Sequence, residues 1–442
     1  MKELFKRQKK LITNVKKYNF ICSKKNIDPS ISSLCFMTTW AITPGYFKLL
    51  DLLGKSNFNF FFYFKDILSI SRHHNLKLSG TLDNSKNNKI ENLIISYCSI
   101  KDFDKEGNYY DNYFDISSKK KNYVWFLISL DNKSPKKIKN NITILKKDNT
   151  KKYGFFFLLK KLVLTKKNLH YLSNSSIFSQ LVKREFVKAF SNKLIKNVIV
   201  NYEGTPFQHG IIKAVKKINK KTKIICYLHC AGWPLQTELV YKEKIIDNLI
   251  VSGLDQKIKL IKYLGWPKKK ILLIPSLRFC KKKNYLFGGF VFIPFEIYDE
   301  KKMLKNFEFF IQNLKVKSLN KLKSRIHPLN KESYKHKFFA SKIEEIIKKN
   351  SNKFNTSVKK QSSFIFGSAT GVCVQALEEG VTVYHLPNSE ILDVFSEEIW
   401  PNINVKKQIN KIYEYSIKEK NKTFWVNNEK NKYNKYISPL LK

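Results

Sequence analysis

Residues 197–234 read NVIVNYEGTPFQHGIIKAVKKINKKTKIICYLHCAGWP. An apolar run at 198–201 leads into a polar turn holding Glu203 and Gly204; a helically spaced stretch covers 207–218, and a second apolar run at 223–228 ends on His229. The pattern predicts a strand, a helix and a second strand, one β-α-β unit with its strands parallel. In open α/β sheets ligands gather beyond the carboxyl ends of the strands, so Glu203 and His229 arrive at the edge where ligands bind. A solvated loop carboxylate and a satisfied core histidine would read the same, and the other strand ends must decide between them.

Working outward, strands are predicted at 91–99, 122–130 and 141–145, with helices at 153–164 and 178–190. Downstream come a strand at 248–252, a helix at 255–263 and a strand at 271–274. The sequence breaks at KKKN (281–284) and at Gly288-Gly289, and a second alternation follows. It has strands at 290–294, 322–326, 362–366 and 382–386, with helices at 301–314, 335–349 and 371–379. Alternation of this kind predicts an α/β fold of two Rossmann-like domains facing across a cleft, the GT-B-like layout. The expected division is a basic lead-in (1–33), an N-terminal acceptor-side domain (34–283), a C-terminal nucleotide-sugar domain (284–400), and a C-terminal helix and tail (401–442) whose helix covers 406–418. Within the first domain, 34–53 reads as a strand or turn leading to a short helix, and the aromatic run 57–63 as core.

The chain has 442 residues and a formal charge of +48, which invites a nucleic-acid reading. Only Arg7, Arg72, Arg184, Arg278 and Arg325 are arginines, and the lysines are spread over loops and helix faces alike. A nucleic-acid reader concentrates arginine, whose planar fork matches phosphates and guanine edges, so no specific nucleic-acid partner is expected. Diffuse lysine suits weak attraction to an anionic membrane surface instead. The seven cysteines (Cys22, Cys35, Cys98, Cys226, Cys230, Cys280, Cys373) form an odd, scattered set typical of a reducing compartment. Cys226 and Cys230 bracket a strand end beside His229, but no second ligand pair follows at zinc spacing. No uncharged apolar run approaches the ~18 residues of a membrane span. The expectation is a cytoplasmic protein, peripheral at most to the cytoplasmic membrane.

Three strand ends carry chemistry. Phe364-Ile-Phe-Gly-Ser368-Ala-Thr370-Gly371 is a strand running directly into a helix, and free N–H groups with hydroxyls at a helix start make a phosphate site; a plain N-cap uses the same residues. Ser324-Arg325-Ile-His327-Pro328 is a strand ending on a histidine, with Arg325 two residues before it, able to hold or protonate a departing phosphate. These two ends are expected to be neighbours. Glu203 comes from the other domain, as a base for an acceptor hydroxyl. No Asp-x-Asp pair or His/Asp cluster at a strand end suggests a metal, so no cofactor is expected beyond the nucleotide-sugar substrate.

The set Tyr202-Glu203-Gly204, Arg325-Ile-His327-Pro328 and Gly367-Ser368-Ala-Thr370 resembles the acidic-Gly, His-Pro and Ser/Ser-Thr motifs of bacterial sialyltransferases, polysialyltransferases and capsule Kdo-transferring enzymes. More extensively, GNYYDNYFD, YEGTPFQ, ICYLHC and GWPKKKILLIPSLRF resemble bacterial surface-carbohydrate (capsule and O-antigen) biosynthesis proteins of GT-B type, over about 90–390. The resemblance implies inverting transfer of a sialic-acid- or Kdo-like sugar from a CMP donor to a glycan or lipid-linked glycan. Glu203 would be the base and His327 would stabilise or protonate the leaving phosphate. Ser368, Thr370 and Gly371 would hold that phosphate together with Arg325. His229 matches a histidine at the same strand end and Arg278 a Leu-Arg-aromatic motif, both in supporting roles. Tyr202 stands where the sialyltransferase motif has its first acid. A UDP- or GDP-sugar transferase, or a non-catalytic nucleotide- or carbohydrate-binding protein of this fold, is the alternative.

Overall fold

The computed structural model describes residues 1–24, 26–30, 74–80, 88–120, 122–152, 174–231, 234–240, 245–280, 290–294, 297, 299–313, 322–327, 330–351, 362–366, 371–387, 390–408 and 412–442. The expectations for 34–53, 57–63 and 153–164 lie outside them.

A first helix, α1 (Lys2–Lys24), precedes strands β1 (His74–Ser79), β2 (Lys89–Cys98), β3 (Tyr110–Asp111), β4 (Ile116–Ser117), β5 (Tyr123–Ser129) and β6 (Ile142–Lys152). Then follow α2 (Asn174–Phe190), β7 (Leu194–Asn201), α3 (Pro206–Ile218), β8 (Lys223–Tyr227), β9 (Asn248–Val251), α4 (Leu254–Ile258) and β10 (Ile271–Leu273). The described strands of this half form an eight-stranded sheet, order β1-β6-β5-β2-β7-β8-β9-β10, parallel except for β1 against β6. Chain order reverses at β2: β5 and β6 build to one side and β7 to β10 to the other, the arrangement of a doubly wound dinucleotide-type sheet. β7 reads LIKNVIVN with its last five residues all buried, as expected of a parallel strand covered on both faces.

The second half contains β11 (Phe290–Phe292), α5 (Glu300–Asn313), β12 (Lys323–Arg325), α6 (Tyr334–Lys349), β13 (Ser362–Phe366), α7 (Gly371–Glu378), β14 (Thr382–Leu386), α8 (Glu390–Asp393), β15 (Ile403–Lys407) and β16 (Tyr413–Ile417). Its sheet runs β12-β11-β13-β14-β16-β15, with β12, β11, β13 and β14 parallel. The chain therefore carries two Rossmann-like sheets in series, as the sequence predicts. One expectation is corrected: β12 and β13 are not neighbours, because β11 lies between them. The crossovers from β11 wind first to one side and then to the other, which leaves the first strand of the unit at its centre.

The helix expected at 406–418 is corrected: among its described residues, 406–407 end β15 and 413–417 form β16, an antiparallel pair whose buried positions (Ile403 and Val405, Tyr413 and Tyr415) recur with the period of two that a pleat imposes. The lead-in is a 23-residue helix whose Leu4, Gln8, Leu11, Ile12 and Val15 share a buried stripe. Gln8 Nε2 donates to the carbonyls of Ile391 and Val394 at 2.9 Å, and Lys16 Nζ donates to Tyr263 O at 2.9 Å, so α1 straps the two halves together.

After β16 the chain returns to the first half. Leu254 N donates to Lys422 O, Ser276 N to Trp425 O, and Thr423 Oγ1 to the Asp255 carboxylate at 2.9 Å. The last helix, α9 (Lys432–Tyr436), packs Tyr433 and Ile437 against Phe114 and Tyr123 under the first sheet. Gly253 permits this return: a Cβ there would stand 1.9 Å from the Thr423 carbonyl oxygen. Gly253→Ala is expected to lower stability by roughly 1–3 kcal/mol or more through backbone displacement, read as a lower urea midpoint. An unchanged midpoint would contradict this packing.

Candidate active site at the strand-order reversal

In open α/β sheets the crevice opens where chain order reverses, between the carboxyl ends of the two diverging strands. Here those strands are β2 and β7. β2 delivers Tyr97 and β7 delivers Glu203, and the Tyr97 hydroxyl donates to Glu203 Oε2 at 3.3 Å. Gly204 follows with φ +79, a left-handed conformation that suits glycine, and a side chain there would press on Glu238 and Leu239. Thr205 caps α3 with Pro206 in its first turn. Gln208, three residues beyond the cap, accepts from the backbone N–H groups of Glu203 (2.9 Å) and Thr205 (3.1 Å), and donates to Asn201 O (2.6 Å) and the Tyr97 oxygen (3.3 Å). One amide thus holds the turn and the hydroxyl that orient the carboxylate.

β8, the parallel neighbour of β7, ends at Tyr227, and His229 follows with Nε2 3.5 Å from Glu203 Oε1. The Tyr113 ring meets His229 edge-on at 4.8 Å between centroids, and the Arg278 guanidinium lies 4.7 Å above the Tyr113 ring. Tyr113 is presented by a loop in which Asp111 Oδ1 accepts from the N–H groups of Tyr113 and Phe114. Tyr97, Tyr113 and Gln208 are site residues not singled out from the sequence. Of the three, Gln208 was legible as the last position of a T-x-x-Q capping pattern.

The electrostatics follow from enclosure. Burial raises the Glu203 carboxyl above its ordinary value, while the Tyr97 hydrogen bond and the Arg278 charge pull it part of the way back. Its side chain is 37% exposed, so the carboxylate keeps access to solvent. His229 is 6% exposed; burial and then the Arg278 charge push it down to about 3, so it stands neutral beside the carboxylate as a polar contact, not an ion pair. Its Nδ1 has no hydrogen-bond partner among the described residues.

The second half meets this site at the start of α7, and the charge of Arg278 is felt at its His327. Gly371, the first residue of α7, lies over Cys230: a Cβ on Gly371 would be 3.4 Å from the Cys230 Cβ and 3.7 Å from Ala231 N. His327, beyond the end of β12, is lowered by burial and next by the charge of Arg278. Arg278 therefore bears on Glu203, His229 and His327 together. Arg325 does not take that place: it is exposed on the edge strand with its guanidinium 5.7–5.8 Å from the Phe290 and Phe292 rings. Tyr202 is core, fully buried with its hydroxyl 3.4 Å from His209 Nε2. Ser368 and Thr370 lie outside the described residues. Among the described residues one set has the makings of a metal site: Glu203, His229 and Cys230, whose ligand atoms all lie within 4.8 Å of one another.

His229 ties stability to pH. Its folded form stays neutral, whereas in the unfolded chain it protonates near ~6.5. Its contribution is complete above that value and is lost as pH falls toward about 3, by up to about 1.4 kcal/mol for each pH unit. His229→Gln is expected to flatten the acid limb of the stability profile between pH 6 and 4, as read by urea unfolding at successive pH values; an equally steep limb would contradict the neutral assignment.

No protein-family model matches the chain, and no curated protein matches it. Among solved structures it aligns with the UDP-GlcNAc 2-epimerase from Methanocaldococcus jannaschii at 12% sequence identity, over 68% of this chain and 89% of that one, with a TM-score of 0.33. No helix among the described residues is long and apolar enough to cross a membrane.

Proposed function

We propose that this chain is an inverting glycosyltransferase of surface-polysaccharide assembly, moving a sialic-acid- or Kdo-like sugar from a CMP-activated donor to a glycan hydroxyl. The observation that carries the reading is the Glu203 carboxyl at the strand-order reversal of the first sheet, with Arg278 bearing on both it and His327 of the second half. A raised but accessible carboxyl is suited to general-base work at neutral pH. The acceptor hydroxyl gives its proton to Glu203 as its oxygen bonds to the anomeric carbon, and the bond from that carbon to the phosphate oxygen breaks on the opposite face. The electron pair leaves on the phosphate of CMP. Arg278 offsets the charge that develops there, and His327, neutral in the resting site, contributes an N–H donor. Ser368, Thr370 and the N–H groups at the start of α7 would hold the same phosphate. The resemblance of the Glu203-Gly204, His327-Pro328 and Ser368/Thr370 motifs to bacterial sialyl- and Kdo-transferring enzymes supports the donor assignment.

Glu203→Gln is expected to lower kcat by roughly 100- to 10,000-fold while leaving the Kd for CMP nearly unchanged, because the base acts in the transition state. Unchanged turnover would remove Glu203 from the mechanism. Thermal shift with CMP, UDP and GDP identifies the donor nucleotide, since a ligand at 100 times its Kd stabilises the fold by about 2.7 kcal/mol. A response confined to UDP or GDP would replace the CMP assignment.

Arg278→Gln supplies a separate check on the base. Rate should rise with pH as Glu203 ionises, and loss of the cation that lowers the Glu203 pKa should move that rise to higher pH. A rise that stays in place would separate Arg278 from the base.

A further inference from the structure

We propose that Glu203, His229 and Cys230 form an exchangeable site for a thiophilic divalent metal ion of the Zn2+ type. The site goes beyond the transferase reading and does not depend on it. The three side chains offer one carboxylate oxygen, one imidazole nitrogen and one sulfur, mutually within 4.8 Å. Glu203 Oε1 and His229 Nε2 stand 3.5 Å apart, close to the roughly 3.3 Å edge of a tetrahedron with metal–ligand bonds near ~2.0 Å.

The fold supplies this set without any sequence motif. His229 and Cys230 are consecutive residues just past the end of β8, and Glu203 is two residues past the end of β7, the parallel strand beside it. An oxygen, nitrogen and sulfur set selects Zn2+ or Co2+ over Mg2+ and Ca2+, which take oxygen ligands. Three protein ligands leave a fourth position toward the cleft, and the partly exposed Glu203 gives the ion its way in. Cys230 binds as thiolate, its proton passing to solvent.

Two features make the site exchangeable. Outer hydrogen bonds to a metal-bound histidine are worth 10- to 100-fold in affinity, and His229 Nδ1 has none among the described residues. Arg278 also places a positive charge close to Glu203 and His229. A bound ion would occupy the oxygen of Glu203 that the transferase reading assigns to the acceptor proton, so in that reading the metal inhibits.

The test uses the full chain, stripped with chelator and titrated with Co2+ under absorption spectroscopy, with no activity required. The expected result is a saturable sulfur-to-cobalt charge-transfer band in the near ultraviolet with visible bands of tetrahedral intensity, displaced by one equivalent of Zn2+. Cys230→Ser should lose the charge-transfer band, and Glu203→Gln and His229→Gln should weaken Co2+ binding by at least about tenfold. Cys280→Ser, which removes an exposed thiol elsewhere, should change nothing. A band that persists in Cys230→Ser, or no saturable band at millimolar Co2+, would overturn the proposal. Should Cys230→Ser fail to fold, Glu203→Gln decides, and full-strength binding in it would overturn the site.

Discussion

The pairing of β2 with β7 is the constraint on which the rest of the molecule depends. Their parallel ladder runs from Lys89 opposite Leu194 to Ile95 opposite Val200, and from Asn92 and Asn197 onward its side chains are buried on both faces. From this pair the chain builds in opposite directions, so the segments leaving the two strands diverge and a crevice opens at their carboxyl ends. Tyr97 and Glu203 are the first polar side chains to emerge there, and they emerge in contact. Slipping one strand by a residue would send the apolar set to the wrong face and separate the two groups, so the core enforces the site's register.

The second half is held against the first by more than one surface. A single apolar cluster continues from the first sheet through Phe292, Cys373, Val374 and Trp400 of the second. Trp400 Nε1 donates to Pro234 O at 2.7 Å, and Tyr263 donates to Glu398 O at 2.6 Å. Lys259 is fully buried at this junction, 4.5 Å from the Trp400 ring centroid and 3.2 Å from Gln236 Oε1; burial lowers its ammonium to about 7. With α1 strapping the halves together and the chain after β16 returning to the first, the start of α7 comes to rest over Cys230. The position of each half's strand ends relative to the other is therefore a property of the packed interface.

The site itself carries groups whose ordinary charge states suit water better than protein. Glu203 is raised and His229 is lowered by the same enclosure, and Arg278 moderates the first while reinforcing the second. Such an arrangement opposes stability and supplies chemistry: a carboxylate short of solvation is a stronger base, and a neutral imidazole adds no positive charge beside it. Tyr113 links His229 to Arg278, meeting the imidazole edge-on and carrying the guanidinium over its ring.

Much of the fold was legible in the sequence because β7, α3 and β8 carry strong periodicity with caps and turns where physics requires them: Gly204 in a left-handed turn, Thr205 and Gln208 at the helix start, His229 where the apolar run stops. Glu203 and His229 could be named for the same reason, since strand ends are visible in a linear pattern, whereas Arg278 entered only through the resemblance of its Leu-Arg-aromatic motif. The hairpin of β15 and β16 was misread because strands of only five residues offer too few apolar positions to separate a period of two from one of 3.6. The neighbours of β12 were misread because strand order follows from crossover direction, to which local sequence is indifferent. The sequence by itself determined two alternating α/β units and which residues end their strands, because hydrophobic spacing and turn chemistry act over a few residues. Only the tertiary structure decided that Tyr97, Glu203, His229, Cys230 and Arg278 come together and that the charge of Arg278, not Arg325, is felt at His327, because that placement depends on strand order and on how the two sheets pack.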